Sequence, residues 1–167
     1  MFSKDYVLGM EVSVENILIS ACLMGVHCRY DGKCQDIPVF AEKLPQLMER
    51  YNLIPVCPEV FGGMTTPRLP SEIVNSKGQE KMKVVNKAGE DVSEHFERGA
   101  REALHMAKLY NCKYAILKQR SPSCGSGFVY DGTFSKSLVK GDGVASAMLK
   151  RAGVEVLDEE NCFEKLL

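Results

Sequence analysis

Two patterns of apolar residues alternate along the chain, short continuous runs and longer segments in which apolar residues are spaced three or four positions apart. Short apolar runs, rich in β-branched residues and bounded by turn residues, occupy residues 16–20 (NILIS), 53–56 (LIPV), 114–118 (YAILK) and 154–157 (VEVL). Runs of about four to eight residues with this composition are typical of buried strands, since helices of globular proteins are usually longer. The pattern therefore predicts four strands.

Between these runs, three longer segments carry apolar residues at a spacing of three or four. Residues 37–51, 91–111 and 141–153 are therefore predicted to be helices, and the second is the most regular. Pro45 predicts a kink or a break in the first helix, because proline removes a backbone donor and clashes with the preceding turn. Asp142 is predicted to cap the third helix.

The alternation of strands and helices predicts an α/β fold, a single Rossmann-like domain with a mostly parallel sheet and helices on both faces. This domain would span residues 16–167, after an N-terminal extension at residues 1–15. Residues 62–91 are rich in Gly, Pro, Ser, Lys and Glu, which predicts a lid or side wall with a small hairpin. Ligands of parallel α/β sheets bind beyond the carboxyl ends of the strands, so functional residues are expected at that edge.

Composition and charge narrow the possible functions. The chain has 167 residues, 45% apolar and 26% charged, with a formal net charge of −1, which suits one globular domain. It contains no apolar stretch near the ~20 residues of a membrane span and no signal-peptide pattern, so a cytoplasmic protein without membrane contact is expected. The absence of a Lys/Arg block excludes general nucleic-acid binding but leaves a small base-like ligand possible.

Seven cysteines are the most informative residues of the chain, and no two are spaced as Cys-x-x-Cys. This excludes zinc ribbons, ferredoxin-type runs and thioredoxin-like motifs, which need short local spacing. Cys22, Cys57 and Cys124 each follow a predicted strand, so they are expected to meet at one edge of the sheet. Three thiolates suit zinc with an open fourth position or a cubane iron–sulfur cluster with one iron not ligated by the protein. Spacing leaves both open, together with three unconnected buried thiols.

Four segments resemble the thiouracil desulfidase family in sequence and in order, over roughly residues 16–160. They are SACLMGVHCRYDG, PVCPEVFGGMTTPRLPSEI, ILKQRSPSCGSG and GVASAMLKRAGVEVLDEEN. The resemblance implies a [4Fe-4S] cluster, installed by cluster-assembly machinery and held by Cys22, Cys57 and Cys124. It also implies that the fourth iron takes the sulfur of a thiolated pyrimidine, which leaves as sulfide while water supplies oxygen to the ring carbon.

The same resemblance indicates polar residues near the cluster. Glu59 and Ser123 match the family's proton-handling and substrate-orienting groups, and Arg68, Ser121 and Asp31 are predicted to contact the substrate. Each also has a purely structural interpretation. Glu59 suits a cap or a surface charge after a turn, Ser123 a loop hydroxyl that bonds its own backbone, and Arg68 an ion pair with a nearby acid.

Two functions of different class follow from these residues. The favoured one is a [4Fe-4S]-dependent enzyme that converts thiouracil to uracil and sulfide without net redox change. The alternative is a carrier or binding module that holds a cluster or metal without catalysing a reaction. Release of sulfide from thiouracil distinguishes the two. Cys28 and Cys34 lie close to Cys22 in the sequence and could guard the cluster or receive sulfur, although structural roles are favoured for both. The sequence predicts no oligomeric state.

Overall fold

A computed structural model describes residues 14–74 and 82–167 of the chain. The predicted extension at residues 1–15 therefore lies almost wholly outside the described residues. In chain order the elements are β1 (Glu15–Ser20), a 3₁₀-helix (Ala21–Met24), α1 (Pro38–Arg50), β2 (Tyr51–Val56), α2 (Pro58–Phe61), β3 (Ser71–Val74), β4 (Lys83–Asn86), α3 (Ser93–Leu109), β5 (Tyr114–Leu117), β6 (Phe128–Tyr130), β7 (Leu138–Lys140), α4 (Val144–Arg151), β8 (Glu155–Asp158) and α5 (Cys162–Leu166).

The four predicted strands form one parallel sheet in the order β2-β1-β5-β8. The register places Ser20 opposite Val56 and Ile19 opposite Ile116, so the carboxyl ends of β1, β2 and β5 lie at the same level. The predicted α/β class with a parallel sheet is confirmed. None of the helices in the described residues is long and apolar enough to cross a bilayer.

Alternate residues of the central strands face opposite layers of helices. On one face Ile17, Ile19 and Ile116 pack against α1 and α5, and on the other Leu18, Ala115 and Leu117 pack against α3 and α4. All six side chains are fully buried. Strands covered on both faces carry continuous apolar runs, which is why these runs could be recognised in the sequence.

Two antiparallel hairpins lie outside the central sheet. β3 pairs with β4 within the predicted side wall, and β6 pairs with β7 in a region where the sequence predicted no strand. Ile73 of β3, Val84 of β4 and Val129 of β6 share a third apolar cluster with α3 and α4. The hairpins therefore extend the core beyond the parallel sheet.

Two predictions about helices differ from the structure. α1 continues through Pro45 as one helix of 13 residues, so the alternative of a break is wrong. α4 begins at Val144 with Gly143 at its N-cap, so the predicted cap at Asp142 is also wrong. The Asp142 carboxylate instead accepts hydrogen bonds from the Gly127 amide at 2.8 Å and from Lys150 Nζ at 2.7 Å. It ties the hairpin to α4 rather than capping the helix.

Two glycines bring α2 into direct contact with the backbone of α3. A Cβ atom at Gly99 would lie 1.7 Å from the carbonyl oxygen of Pro58, and one at Gly62 would lie 2.0 Å from that of His95. Both distances are far below contact distance, and both involve backbone atoms that cannot rotate away. The short helix that follows Cys57 is therefore fixed by backbone packing.

Substitution of Gly99 by alanine is expected to lower the free energy of unfolding by about 1–3 kcal/mol, because overpacking forces the backbone of α2 to shift. Urea denaturation of the purified protein measures the change. Glu102→Ala, at an exposed position of the same helix, is the control and should change stability by less than about 0.5 kcal/mol. Equal stability of Gly99→Ala and the control would show that α2 is free to move.

Candidate functional site

The carboxyl ends of β1, β2 and β5 open onto one cavity of about 530 Å³. Cys22, Cys57 and Cys124 all line it. Cys57 directly follows β2, and Cys22 is the second residue after β1, whereas Cys124 lies further along the loop that follows β5. The parallel register thus brings together three thiols that are distant in the sequence.

Local hydrogen bonds fix the backbone around the first two thiols. Cys22 lies in the 3₁₀-helix, and its carbonyl oxygen accepts a hydrogen bond from the Gln35 amide at 2.9 Å. Cys57 is the N-cap residue of α2, and its carbonyl oxygen accepts one from the Phe61 amide at 2.9 Å. Both cysteines therefore sit on anchored turns.

The loop that carries Cys124 is anchored by two serines. Ser121 Oγ accepts hydrogen bonds from the amides of Ser123 and Cys124, both at 3.1 Å. Ser146 Oγ, from α4, donates to the Cys124 carbonyl oxygen at 2.7 Å. In addition, a Cβ atom at Gly143 would lie 2.5 Å from the Ser123 carbonyl, so α4 packs tightly against this turn.

A fourth thiol, that of Cys28, lies between the first two. Cys28 is buried, lines the cavity and hydrogen-bonds the thiols of Cys22 and Cys57. The Cys57 thiol also contacts the Cys28 carbonyl oxygen at 3.8 Å. The sequence places Cys28 only six residues after Cys22, and this closeness is the signal that left a role at the site open.

The surroundings of Cys28, Cys57 and Cys124 raise the pKa of each thiol and so favour its protonated form. The hydrogen bond with Cys22 raises the pKa of Cys28 to about 11. The hydrogen bond with Cys28, together with burial, raises the pKa of Cys57 strongly. Burial raises the pKa of Cys124 to about 12, although the Ser20 hydroxyl acts in the opposite direction. Binding of a metal to these thiols would therefore release protons.

The number of thiols on the cavity wall is relevant to the kind of metal centre. Cys22, Cys57 and Cys124 line one cavity, and Cys28 lies beside the first two. A cubane cluster with one open iron takes three cysteine ligands, and a zinc ion with an open position also takes three protein ligands. The cavity wall therefore supplies enough thiols for either centre.

Glu59 and Arg68 form an ion pair at the edge of the cavity. Glu59 Oε2 lies 2.7 Å from Arg68 Nε and 2.6 Å from Arg68 Nη2. Arg68 also donates to the carbonyl oxygens of Cys28 at 3.0 Å and Thr65 at 3.2 Å, and its side chain is only 6% exposed. Arg68 thus connects the Glu59 carboxylate to two segments, the one that carries Cys28 and the loop that follows α2.

The remaining predicted site residues differ in their positions. Ser121 lines the cavity, whereas Ser123 lies behind the wall and is fully buried. Apart from the Cys124 thiol beside it, the Ser123 hydroxyl has no hydrogen-bond partner among the described residues. Asp31 is not among the residues that line the cavity. Its carboxylate instead pairs with Arg29 at 3.0 Å and accepts a hydrogen bond from the Lys33 amide.

Several residues on the cavity wall were not predicted from the sequence. Lys118, directly after β5, forms an ion pair with the buried Glu159, and its amide donates to Ser20 Oγ at 3.0 Å. Glu72 of β3 and the aromatic residues Tyr130 and Phe134 of the β6–β7 hairpin also line the cavity. Glu72, Tyr130 and Phe134 come from hairpins that have no simple periodicity in the sequence, whereas Lys118 ends the predicted run at residues 114–118.

Comparisons with known proteins identify the family of the chain and support its fold. The uncharacterized protein YbbK of Bacillus subtilis (strain 168) is 44% identical over 147 residues, which cover 86% of this chain and 95% of the relative. A solved structure of the [4Fe-4S]-dependent thiouracil desulfidase TudS is 39% identical and superposes with a TM-score of 0.77, covering 90% of this chain and 94% of that chain. The family model described as 2-thiouracil desulfurase matches residues 17–161, which confirms the resemblance of the four sequence segments. The chain belongs to the 2-thiouracil desulfurase family.

Proposed function

We propose that this protein removes the sulfur atom from a thiolated pyrimidine, as in the conversion of thiouracil to uracil and sulfide, at a [4Fe-4S] cluster. The observation that carries the proposal is the meeting of Cys22, Cys57 and Cys124 on one cavity, at the strand ends of a member of this family. The structural neighbour TudS is [4Fe-4S]-dependent, which supports the same cofactor here.

The residues of the cavity fit such a cluster. Cys22, Cys57 and Cys124 would hold three irons, and the buried hydroxyl of Ser71, which lines the cavity, lacks a partner among the described residues, as expected beside a site that binds a further group. When bound, the cluster would supply an iron without a protein ligand, a Lewis acid for the sulfur of the substrate.

The reaction consumes one water molecule and needs a group that handles its protons. The oxygen of water forms a bond to the ring carbon, the carbon–sulfur bond breaks, and sulfur leaves as sulfide with no change of oxidation state. Glu59 is the best candidate for the base, because it lines the cavity and follows Cys57 by only two residues.

Arg68 orients this carboxylate. The hydrogen bond from Arg68 Nε and the ion-pair contact from Nη2 both end at Glu59 Oε2, and no described residue donates to Oε1. The second oxygen is therefore available to a water molecule or to the substrate. In this proposal Arg68 positions Glu59, Ser121 holds the turn of Cys124, and Ser123 contributes a hydroxyl beside the cluster ligand.

Anaerobically purified, iron-loaded protein is expected to release sulfide and uracil in equal amounts from 2- or 4-thiouracil. Sulfide is measured colorimetrically and uracil by chromatography. The same protein stripped of iron is the control and should be inactive. A protein that holds about four irons per chain yet releases no sulfide would instead be a cluster carrier or binding module.

A further inference from the structure

A buried carboxylate joins two hairpins that are distant in the sequence. Glu72 of β3 is only 8% exposed, and its Oε2 atom accepts hydrogen bonds from the amides of Gly132 at 3.0 Å and Phe134 at 2.9 Å. Hydrogen bonds to a charged acceptor are stronger than those between neutral groups. Glu72 thus anchors the loop between β6 and β7 to the β3–β4 hairpin.

The anchored loop has a strained backbone. Phe134 and Lys136 have φ angles of 57° and 65°, a region that residues other than glycine rarely adopt. Gly132 has a φ angle of 88°, and a Cβ atom there would lie 2.8 Å from the carbonyl oxygen of Ile73. Strain of this kind persists only where surrounding contacts impose it, and here the contacts come from Glu72 and from the backbone of β3.

The strands of the hairpin offer little apolar packing that could hold the loop in place. Phe128, Leu138 and Val139 are 46%, 42% and 42% exposed, whereas Val129 is buried in the third apolar cluster. The side-chain hydrogen bonds of Asp131, Thr133 and Ser135 stay within the loop. Among the described residues, the two hydrogen bonds to Glu72 are the ones that tie the loop to the β3–β4 hairpin.

The loop faces the cavity of the proposed cluster. Tyr130 and Phe134 line that cavity together with Cys57, Glu59 and Glu72 itself. Aromatic side chains provide flat apolar surfaces that pack well against planar rings. Resting on the proposed function, we propose that Glu72 is a positioning residue that holds the β6–β7 hairpin so that Tyr130 and Phe134 form the wall against the thiolated pyrimidine ring.

Kinetics of two matched variants with 4-thiouracil test this role. Glu72→Ala removes the acceptor and should raise KM about tenfold while kcat stays within about threefold and iron content is unchanged. Glu72→Gln keeps a side-chain oxygen that can accept both amides and should restore KM to within about threefold of the parent protein. An unchanged KM in Glu72→Ala, or the same KM in both variants, would overturn the proposal.

A double-mutant cycle shows whether Glu72 acts through Phe134. Phe134→Ala leaves the anchor intact, yet it should raise KM to a similar extent because it removes part of the same wall. If Glu72 acts through Phe134, the double variant should resemble either single variant, since the effects of coupled residues do not add. Fully multiplicative effects on KM would show that Glu72 does not act through this ring.

A measurement without substrate separates this inference from the proposed function. The chain has no tryptophan, so Phe134→Trp introduces a single tryptophan at the hairpin tip, and its fluorescence is the signal that is measured. At equal iron content, adding Glu72→Ala should at least double the acrylamide quenching constant, and adding Glu72→Gln should not. Equal quenching in all three proteins would refute the anchor. Glu72-dependent quenching in a protein that releases no sulfide would support the anchor and overturn the desulfidase function.

Discussion

Replacement of Cys124 by serine is expected to bleach the anaerobically purified protein and to reduce its iron from about four atoms per chain to a trace. The reason is that a serine hydroxyl at this position cannot replace a thiolate ligand of iron. Single replacements of Cys22 and Cys57 should have the same effect, because the three thiols line one cavity and each would hold a different iron. Iron analysis and the absorption band near the blue–violet edge measure the loss.

Cys112→Ser is a matched control for this experiment. Cys112 and Cys124 are both 7% exposed, so the two substitutions bury a hydroxyl in equally enclosed positions. Cys112, however, lines a different cavity of about 200 Å³ between the ends of α3 and α4. The Cys112→Ser variant should therefore keep its iron and its colour. Equal loss in both variants would mean that destabilisation, rather than ligand removal, causes the bleaching.

Cys28→Ser tests the choice of three ligands among four thiols. Cys28 hydrogen-bonds both Cys22 and Cys57, so it is near enough to the cluster to compete as a ligand. We expect this variant to retain its iron, because the ends of the three parallel strands already supply three thiols. If the Cys28→Ser variant is colourless and the Cys22→Ser variant is brown, then Cys28, and not Cys22, is the third ligand.

The parallel sheet could be predicted because its determinants are local. The runs that form β1, β2, β5 and β8 are largely apolar, since both faces of each strand are covered. The helices between them are recognised by apolar residues spaced three or four positions apart. Parallel order then brings the strand ends to one edge. This is why Cys22, Cys57 and Cys124 could be expected at one site from their positions after the strands.

The parts that were missed depend on contacts between distant residues. β6 and β7 have only three residues each, and the loop between them is held by Glu72, about 60 residues earlier in the chain. The role of Asp142 was predicted wrongly for the same reason, because its partner Gly127 is 15 residues away. The pairing of Arg68 with Glu59 was considered only as an alternative, since sequence does not reveal which acid an arginine meets.

Glu59→Gln is expected to lower the rate of desulfuration by about 10²-fold or more, the lower range for loss of general acid–base catalysis, while iron content and colour stay unchanged. The carboxylate is not needed as a ligand, because three thiols already line the cavity. Glutamine has nearly the same size and keeps an oxygen that can accept the hydrogen bonds from Arg68. The substitution therefore removes the proton-accepting group with little change in shape.

Because Glu59 is paired with Arg68, the stability of the Glu59→Gln variant must be measured together with its rate. The Arg68 side chain is 6% exposed and that of Glu59 is 16% exposed, so neutralising Glu59 leaves a largely buried positive charge without its partner. Breaking a buried pair in this way costs up to about 3–5 kcal/mol. Unfolding by urea should thus be measured on every preparation, and rates compared only below the onset of unfolding.

Glu159→Gln is a control that should lower the free energy of unfolding by a similar amount, because it also breaks a buried ion pair. Glu159 is 4% exposed and pairs with Lys118, but it does not line the cavity, so its loss should destabilise the fold while the rate stays within a few-fold. A large fall in rate for Glu59→Gln alone, with iron retained, identifies Glu59 as the base. If both variants lose rate equally, the loss follows from a cation left without its partner, Arg68 or Lys118, and not from removal of a base. If Glu59→Gln loses iron together with activity, the carboxylate supports the cluster, and the base must be sought elsewhere.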